Sequence, residues 1–290
     1  MAAQAVWVDT HCHWDAPELA DQAAARRGVA RSRGVALSVV PAVSVQTFGA
    51  VRAWAHAHGD AYALGIHPLY VLQARDDDLE ALEAALRAHI DDPRLVAVGE
   101  IGLDAWSPTM RDPDVWARQQ RFFRLQLGLA KRFDLPVILH VRRAVDPVLK
   151  GLRDLGVKQG IAHAFSGSWE QAQAMSQHGM KLGFGGAMTF DTAHRLRDLL
   201  QRLPNDAVVM ETDGPDIPPQ WLYVTQEDRA FGVPQGINAS EELPRIGEVG
   251  AQLRAQSTAD WARHTTANAL AALPRLASCL DEESHGFRYP

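Results

Sequence analysis

Two histidines stand one residue apart at the end of the first apolar run, in Val8-Asp9-Thr10-His11-Cys12-His13. Residues two apart on a strand point to the same side. His11 and His13 can therefore reach one ion through neutral imidazole nitrogens, which suit zinc and related cations. Alone, such a pair is an ordinary surface feature. Four further apolar runs also stop at groups that bind metal. Val98-Gly99-Glu100 supplies Glu100, Leu139-His140 supplies His140, Ala162-His163 supplies His163, and Met210-Glu211-Thr212-Asp213 supplies Asp213. Buried ionisable side chains are costly unless paired or coordinated. Six of them at the ends of five separate runs point to one metal centre rather than to six unrelated caps.

Such a centre needs a repeated strand–helix unit to position it. Short apolar runs occupy residues 5–8, 35–40, 61–66, 95–98, 136–139, 160–162, 181–184 and 207–210. None alternates as a half-exposed strand would, so each reads as a buried parallel strand. Helical stripes lie between them. Leu79, Leu82, Leu86 and Ile90 mark one over 78–90, and Phe122, Leu125, Leu129 and Phe133 mark another over 115–133. Residues 192–203 and 258–270 carry the same period. Eight alternating units predict an α/β fold, a (β/α)8 TIM barrel of amidohydrolase type, formed by residues 1–290 as one domain. In that fold the carboxyl ends of the strands share one face, where active sites are built. Residues 214–244 carry five prolines and read as a long loop over the barrel mouth. Long ordered loops in compact domains are more often functional than passive.

The totals agree with a soluble enzyme. Hydrophobic residues make up 47% and charged residues 22%, so a sizeable core is available. No apolar run approaches the ~20 residues needed to span a bilayer, so no membrane association is expected. The N-terminal stretch lacks the basic region of a signal peptide. Cys12 and Cys279 are too few for a disulfide framework and suit a reducing cytoplasm. The formal charge of -6 argues against a broadly basic nucleic-acid surface. It leaves room for a phosphoester at a cationic centre. No obligate protein partner is implied.

The stretches DTHCH, GIHP, GEIGLD, LHVRRA, AHAFSGS and ETDGP occur in this order. As an ordered set they resemble the TatD family of metal-dependent hydrolases, described as deoxyribonucleases. The resemblance runs from about Val8 to Leu270. It implies two divalent metal ions. His11, His13, Glu100 and Asp213 would hold one; Glu100, His140 and His163 would hold the other, with Glu100 as bridge. The chemistry is coherent, because two cations ~3.5–4 Å apart need a shared anion and can clamp both oxygens of an in-line displacement. Asp213 would also take a proton from the attacking water. Zinc, manganese and magnesium are candidates, and the histidines favour the first two. The resemblance implies hydrolysis of DNA; a metal centre recessed in a barrel mouth makes single-stranded ends the expected substrate, because an intact duplex is too wide to enter. The alternative is an amide, lactone or small phosphoester on the same barrel. Amide-cleaving relatives often bridge their metals with a carbamylated lysine, and no lysine ends a run here.

Neighbouring residues offer substrate contacts. His67 resembles a family residue near the scissile group; its plainer reading is a cap. Arg142, two beyond His140, fits phosphate bidentately, with a structural ion pair as its alternative. Ser166 lies in a turn, 165–168, whose backbone N–H groups can bind an anion, while Ser168 also reads as a helix cap. Asp15 reads as a neighbour of the site or a helix start, and Cys12 should point away into packing. Cys279, His56, His58, His89, His178, His194, His264 and His285 read as surface or structural. The region after the eighth run departs from the family. There a basic stretch leads into Asn-Glu-Pro; here Asn238 is followed by Ala239-Ser240, and the basic residues are missing. An insertion brings Trp221, Tyr223 and Phe231, which could stack on bases but should pack onto the barrel. Loss of cations from a mouth loop weakens contact with a polyanionic strand.

Overall fold

Eight parallel strands lie side by side in chain order. The structure is a computed structural model and describes residues 5–280; His285 lies outside them. The strands are β1 (Trp7–Asp9), β2 (Val35–Pro41), β3 (Ala61–Leu64), β4 (Leu95–Asp104), β5 (Val137–Arg142), β6 (Gly160–His163), β7 (Met180–Phe184) and β8 (Val208–Met210). Hydrogen bonds from Thr10 N to Met210 O (3.1 Å) and from Asp213 N to His11 O (2.8 Å) join the two ends of the sheet. The result is the expected (β/α)8 barrel. Its helices are α1 (Ala23–Ser32), α2 (Phe48–His58), α3 (Asp77–His89), α4 (Pro113–Arg132), α5 (Val145–Leu155), α6 (Trp169–Gln177), α7 (His194–Arg202), α8 (Gln226–Ala230), α9 (Leu243–Leu253) and α10 (Thr258–Ala272).

Strands buried on both faces explain the continuous apolar runs. Inside the barrel, Val8, Leu37, Val39, Ala61, Ala63, Val96, Ile138, Ile161 and Val209 form one cluster, which Leu273, Leu276 and Cys279 join from beyond α10. Each valine, leucine or isoleucine among them contributes ~1.5–3 kcal/mol on burial. Outside it, the helices pack through residues such as Leu82, Leu86, Phe123 and Leu127.

Three expectations need correction. β4 is ten residues long rather than four, because every residue through Asp104 is buried and paired onward. Its register gains one residue against β5 between Val98 and Ile101, a bulge that falls at Gly99-Glu100. On α4, Leu125 is 46% exposed. The buried stripe is centred on Phe123, Gln126, Leu127 and Ala130, and at 100° per residue Leu125 falls off its edge. The 214–244 segment is not wholly irregular, since it contains α8 and a 3₁₀ turn at Ser240–Glu242.

Two buried glutamines on α4 reach back to the strand ends. Gln126 accepts from Ile66 N (2.7 Å) and donates to Ile66 O (3.0 Å), next to His67. Gln119 clamps Asp104 in the same way, accepting from its N (2.8 Å) and donating to its O (3.1 Å). An amide side chain that satisfies both groups of one residue fixes a strand end without burying a charge.

Candidate metal centre

The six residues expected to bind metal converge at the carboxyl ends of the strands, and His67 joins them. Glu100 sits at the centre. Its Oε2 lies 3.2 Å from His11 Nε2 and 3.6 Å from His13 Nε2. Its Oε1 lies 3.0 Å from His140 Nδ1, 3.0 Å from His163 Nε2 and 3.1 Å from His67 Nε2. Asp213 Oδ1 faces the first group, 3.5 Å from His11 Nε2 and 3.7 Å from His13 Nε2. Candidate ligand atoms of His11, His13 and Asp213 fall within 4.8 Å of one another; so do those of His11, Glu100 and His163, and those of His67, Glu100 and His140. Nitrogen and carboxylate donors in this density suit divalent cations.

Electrostatics follow from burial and crowding. Burial opposes a charged Glu100, but His67, His163 and His11 around it hold the carboxyl well below its usual range. Burial lowers His11 strongly and brings His13 down to about 4. Burial also pushes Asp213 up to about 8, against the pull of His163. His140 and His163 are depressed by burial, yet their carboxylate partners leave both above the ordinary imidazole value.

An outer carboxylate sets the tautomer of His140, and a second stands near His163. His140 Nε2 lies 2.9 Å from Asp104 Oδ2. A carboxylate only accepts, so a neutral His140 keeps its proton on Nε2 and offers the Nδ1 lone pair to the centre. Glu211 Oε1 lies 3.7 Å from His163 Nδ1 and accepts from Ala164 N at 2.5 Å. Gly183 makes room for Glu211, since a Cβ there would meet its Oε2 at 2.1 Å. His67 differs. Leu69 N donates to His67 Nδ1 at 3.1 Å, so the neutral ring carries its proton on Nε2, the atom that faces Glu100.

A buried carboxylate below the centre ties the barrel seam together. Asp9 accepts from His11 N (3.2 Å), Thr212 N (3.0 Å), Thr212 Oγ1 (2.6 Å) and Ser240 Oγ (2.6 Å). Burial raises its carboxyl to about 6, and these bonds act the other way. Asn238 Nδ2 donates to Thr212 O (2.7 Å), Asp216 O (3.0 Å) and Ile217 O (3.2 Å). Thus Asn238 and Ser240 pin the segment that carries Asp213.

Asp9, Asp104, Glu211, Asn238 and Ser240 are the residues that sequence reasoning did not single out. Asp9, Asp104 and Glu211 stood in the quoted strand ends, two, four and two residues from stronger candidates. Ser240 is 231 positions from Asp9, and no local pattern links them.

The other candidates line a cavity of about 990 Å³ above the centre, which includes Asp15, Glu18, Tyr70, Arg142, Ser166 and Asp216. Arg142 is exposed, with its guanidinium 4.4 Å from the centroid of Trp106. Ser168 caps α6 by accepting from Gln171 N at 3.2 Å. Asp15 is not a helix start, because α1 begins at Ala23. Cys12 is buried in packing as expected. His56 pairs with Asp92, His58 stacks on Trp54, His178 bonds Val157 O and His264 bonds Gln256. His89 and His194 lie on α3 and α7. The inserted aromatics divide. Trp221 packs and donates to Glu242 Oε2 at 2.7 Å, whereas Phe231 is 82% exposed, so the expectation that it packs down is wrong.

Buried imidazoles and carboxylates at the carboxyl rim of a parallel barrel hold divalent cations that drive hydrolysis. Fold and donor set together define a metal-dependent hydrolase. The chain belongs to the TatD-related DNase family, whose model matches residues 8–274. It is similar to the uncharacterized metal-dependent hydrolase YjjV of Escherichia coli strain K12, at 41% identity over 215 residues, 73% of this chain and 80% of that one. The crystal structure of YjjV, a TatD homolog, superposes with a TM-score of 0.83 at 34% identity, covering 92% of this chain and 98% of the other. Deoxyribonuclease TATDN3 of Homo sapiens is 27% identical over 95% of this chain and 97% of its own. The 3'-5' ssDNA/RNA exonuclease TatD of Erwinia tasmaniensis is 29% identical over 71% of this chain and 74% of its own. No helix among the described residues is long and apolar enough to cross a membrane.

Proposed function

We propose that this chain is a two-metal phosphodiesterase that trims single-stranded DNA from its ends. The observation that carries this reading is the placement of the two Glu100 oxygens, one against His11 and His13, the other against His140 and His163. A bridging carboxylate needs that division. His11, His13, Glu100 and Asp213 would hold one divalent cation, and Glu100, His140 and His163 the second. Imidazole-rich sets favour zinc or manganese over magnesium. When bound, the cations supply charge stabilisation at the phosphoryl oxygens and acidify a water molecule. Asp213 takes the proton from the attacking water. His67 presents Nε2–H to an oxygen of the reacting phosphate, and Arg142 and the Ser166 turn hold a neighbouring phosphate from the cavity wall. Asp104 keeps His140 in its tautomer, and Glu211 places a negative charge 3.7 Å behind His163 Nδ1. The deoxyribonuclease and exonuclease names of the relatives support DNA as the substrate class. The recessed centre supports an end, because a free strand can thread where an intact duplex is too wide.

The test is metal analysis of the purified protein, followed by cleavage of end-labelled single strands, blunt duplexes and closed circles with the native metal restored. Stepwise loss from single-strand ends is expected. Rapid nicking of closed circles would overturn end-trimming. Robust turnover of a small ester or amide, with no cleavage of any nucleic acid, would overturn the substrate class and leave the metal centre standing.

A further inference from the structure

The barrel mouth is electrostatically two-sided. In a ring of eight strands, β1 and β8 lie across from β4 and β5. Asp15 and Glu18 follow β1 and Asp216 follows β8, and all three line the large cavity. On the far side stands Arg142, the only arginine or lysine in that lining among the described residues. From Arg142 the surface runs on into a second cavity of about 660 Å³, which shares Val141, Arg142 and Ser166 with the first.

Three arginines line this second cavity: Arg142, Arg143 and Arg195. The guanidinium carbons of Arg142 and Arg143 lie 4.4 and 4.0 Å from the centroid of the Trp106 ring. Stacking of this kind orients the planar fork and leaves its N–H edges free for a ligand. Arg195 donates to Ser166 O at 2.9 Å, which aims it across the same space. All three are exposed, and none has an ion-pair partner among the described residues. The one carboxylate in the lining, Asp146, already accepts from Gln171 Nε2 at 3.2 Å. In a chain of formal charge -6, this concentration of unneutralised guanidinium beside the catalytic cavity calls for an anion with several acceptor oxygens.

We propose that the Arg142–Arg143–Arg195 groove holds the first non-scissile phosphate of the bound strand, so that the strand runs from this groove across the metal centre and ends, without a terminal phosphate, against Asp15, Glu18 and Asp216. The inference rests on the phosphodiesterase reading above and gives that site a direction. Phosphates that follow the cut bond meet guanidinium groups. A phosphate on the free end would instead meet three carboxylates, and like charges at short range repel. A nucleoside ending in a hydroxyl carries no such penalty and can donate to those carboxylates.

The experiment uses the full chain with its metal restored, comparing the parent with R143Q/R195Q and with the charge-keeping R143K/R195K. Three quantities are read. One is the ratio of kcat/KM for a single-stranded hexanucleotide to that for bis(p-nitrophenyl) phosphate, which is too short to span both cavities. The second is binding of a fluorescent phosphorothioate hexanucleotide by anisotropy over a range of salt. The third is the rate on strands ending in hydroxyl or in phosphate. The glutamine pair should lower the ratio by about tenfold and flatten the logarithmic salt dependence of binding by about one unit, while the lysine pair retains most of both. A terminal phosphate should slow the parent by about fivefold. Matching thermal melts and metal contents exclude misfolding. If ratio and salt dependence are the same in parent and glutamine pair, the groove does not hold a phosphate. If both kinds of end are cut equally, the direction is wrong. A parent that hydrolyses the small diester but neither binds nor cuts the hexanucleotide would sink the nucleic-acid reading itself, a result distinct from cleavage indifferent to the arginines.

Discussion

Asn in place of Asp213 keeps the shape and one carbonyl oxygen but cannot take a proton. If Asp213 is the base, Asp213→Asn retains metal and loses ~10²–10⁴-fold in kcat, the usual scale of general-base work. Turnover and metal content measured on the same sample decide this, and unchanged turnover at equal metal would remove Asp213 from the role. Asp104 acts one step further out. One oxygen accepts from Trp106 N at 2.7 Å, and the other meets the far nitrogen of His140, where its work is to fix which nitrogen carries the proton. Asp104→Asn can present its NH₂ to that nitrogen and favour the wrong tautomer. Metal affinity should fall by ~10–100-fold, read by competition with a chelator of known affinity. An unaltered affinity would make Asp104 a bystander. His67 shows how a single backbone contact separates roles. The bond from Leu69 N makes it a proton carrier, although its distance to Glu100 equals that of the candidate ligands to within 0.1 Å.

Among the elements, the seam between β1 and β8 carries most of the risk, because both strands are three residues long. Side chains make up what the short ladder lacks. Asn238 spends one amide on three carbonyls, including the buried Thr212 O. Asn238→Ala should cost ~1–3 kcal/mol, the scale of leaving a buried acceptor unmet, and should release the segment that carries Asp213. Thermal melts and metal titration of the variant check this; a melt equal to the parent's would mean that the seam holds without it. The strands and the candidate metal residues were legible in the sequence for one physical reason. Parallel strands buried on both faces are continuous apolar runs, and a charged residue ending such a run has few bland explanations. The supporting set was not legible. Asp104 and Glu211 differ from ordinary strand caps only in what they face across the barrel. The Asp9–Ser240 bond joins distant segments, and the bulge at Gly99-Glu100 depends on pairing with β5 rather than on local propensity. Leu125 was misplaced because a stripe chosen from four apolar residues ignored the buried Gln126.

At the scale of the whole molecule, the centre gathers its donors from β4, β5, β6 and the segments after β1 and β8, so a bound cation ties distant parts of one ring. An unfolded chain cannot present that arrangement, and binding therefore adds to stability by mass action. At a free metal concentration a hundredfold above Kd the gain is ~2.7 kcal/mol. For a domain of this size that corresponds to a rise of roughly 5–10 °C in Tm. Exhaustive chelation should remove the rise together with the hydrolysis. The effect should also depend on pH, with a definite sign. Imidazole nitrogens and carboxylates bind a cation only when deprotonated, so protons compete with metal and acid weakens binding. The competition falls on the donors that hold protons in the metal-free fold, namely Asp213, raised to about 8, and His140 and His163, both above the ordinary imidazole value, so it should set in as pH falls from about 8, while His11 and His13 stay unprotonated. Paired melts with and without zinc or manganese, at matched ionic strength from pH 8 down to pH 5.5, would show a metal-dependent gap in Tm that narrows through that range. A gap that stays constant, or widens in acid, would mean that the cation is not held by these donors.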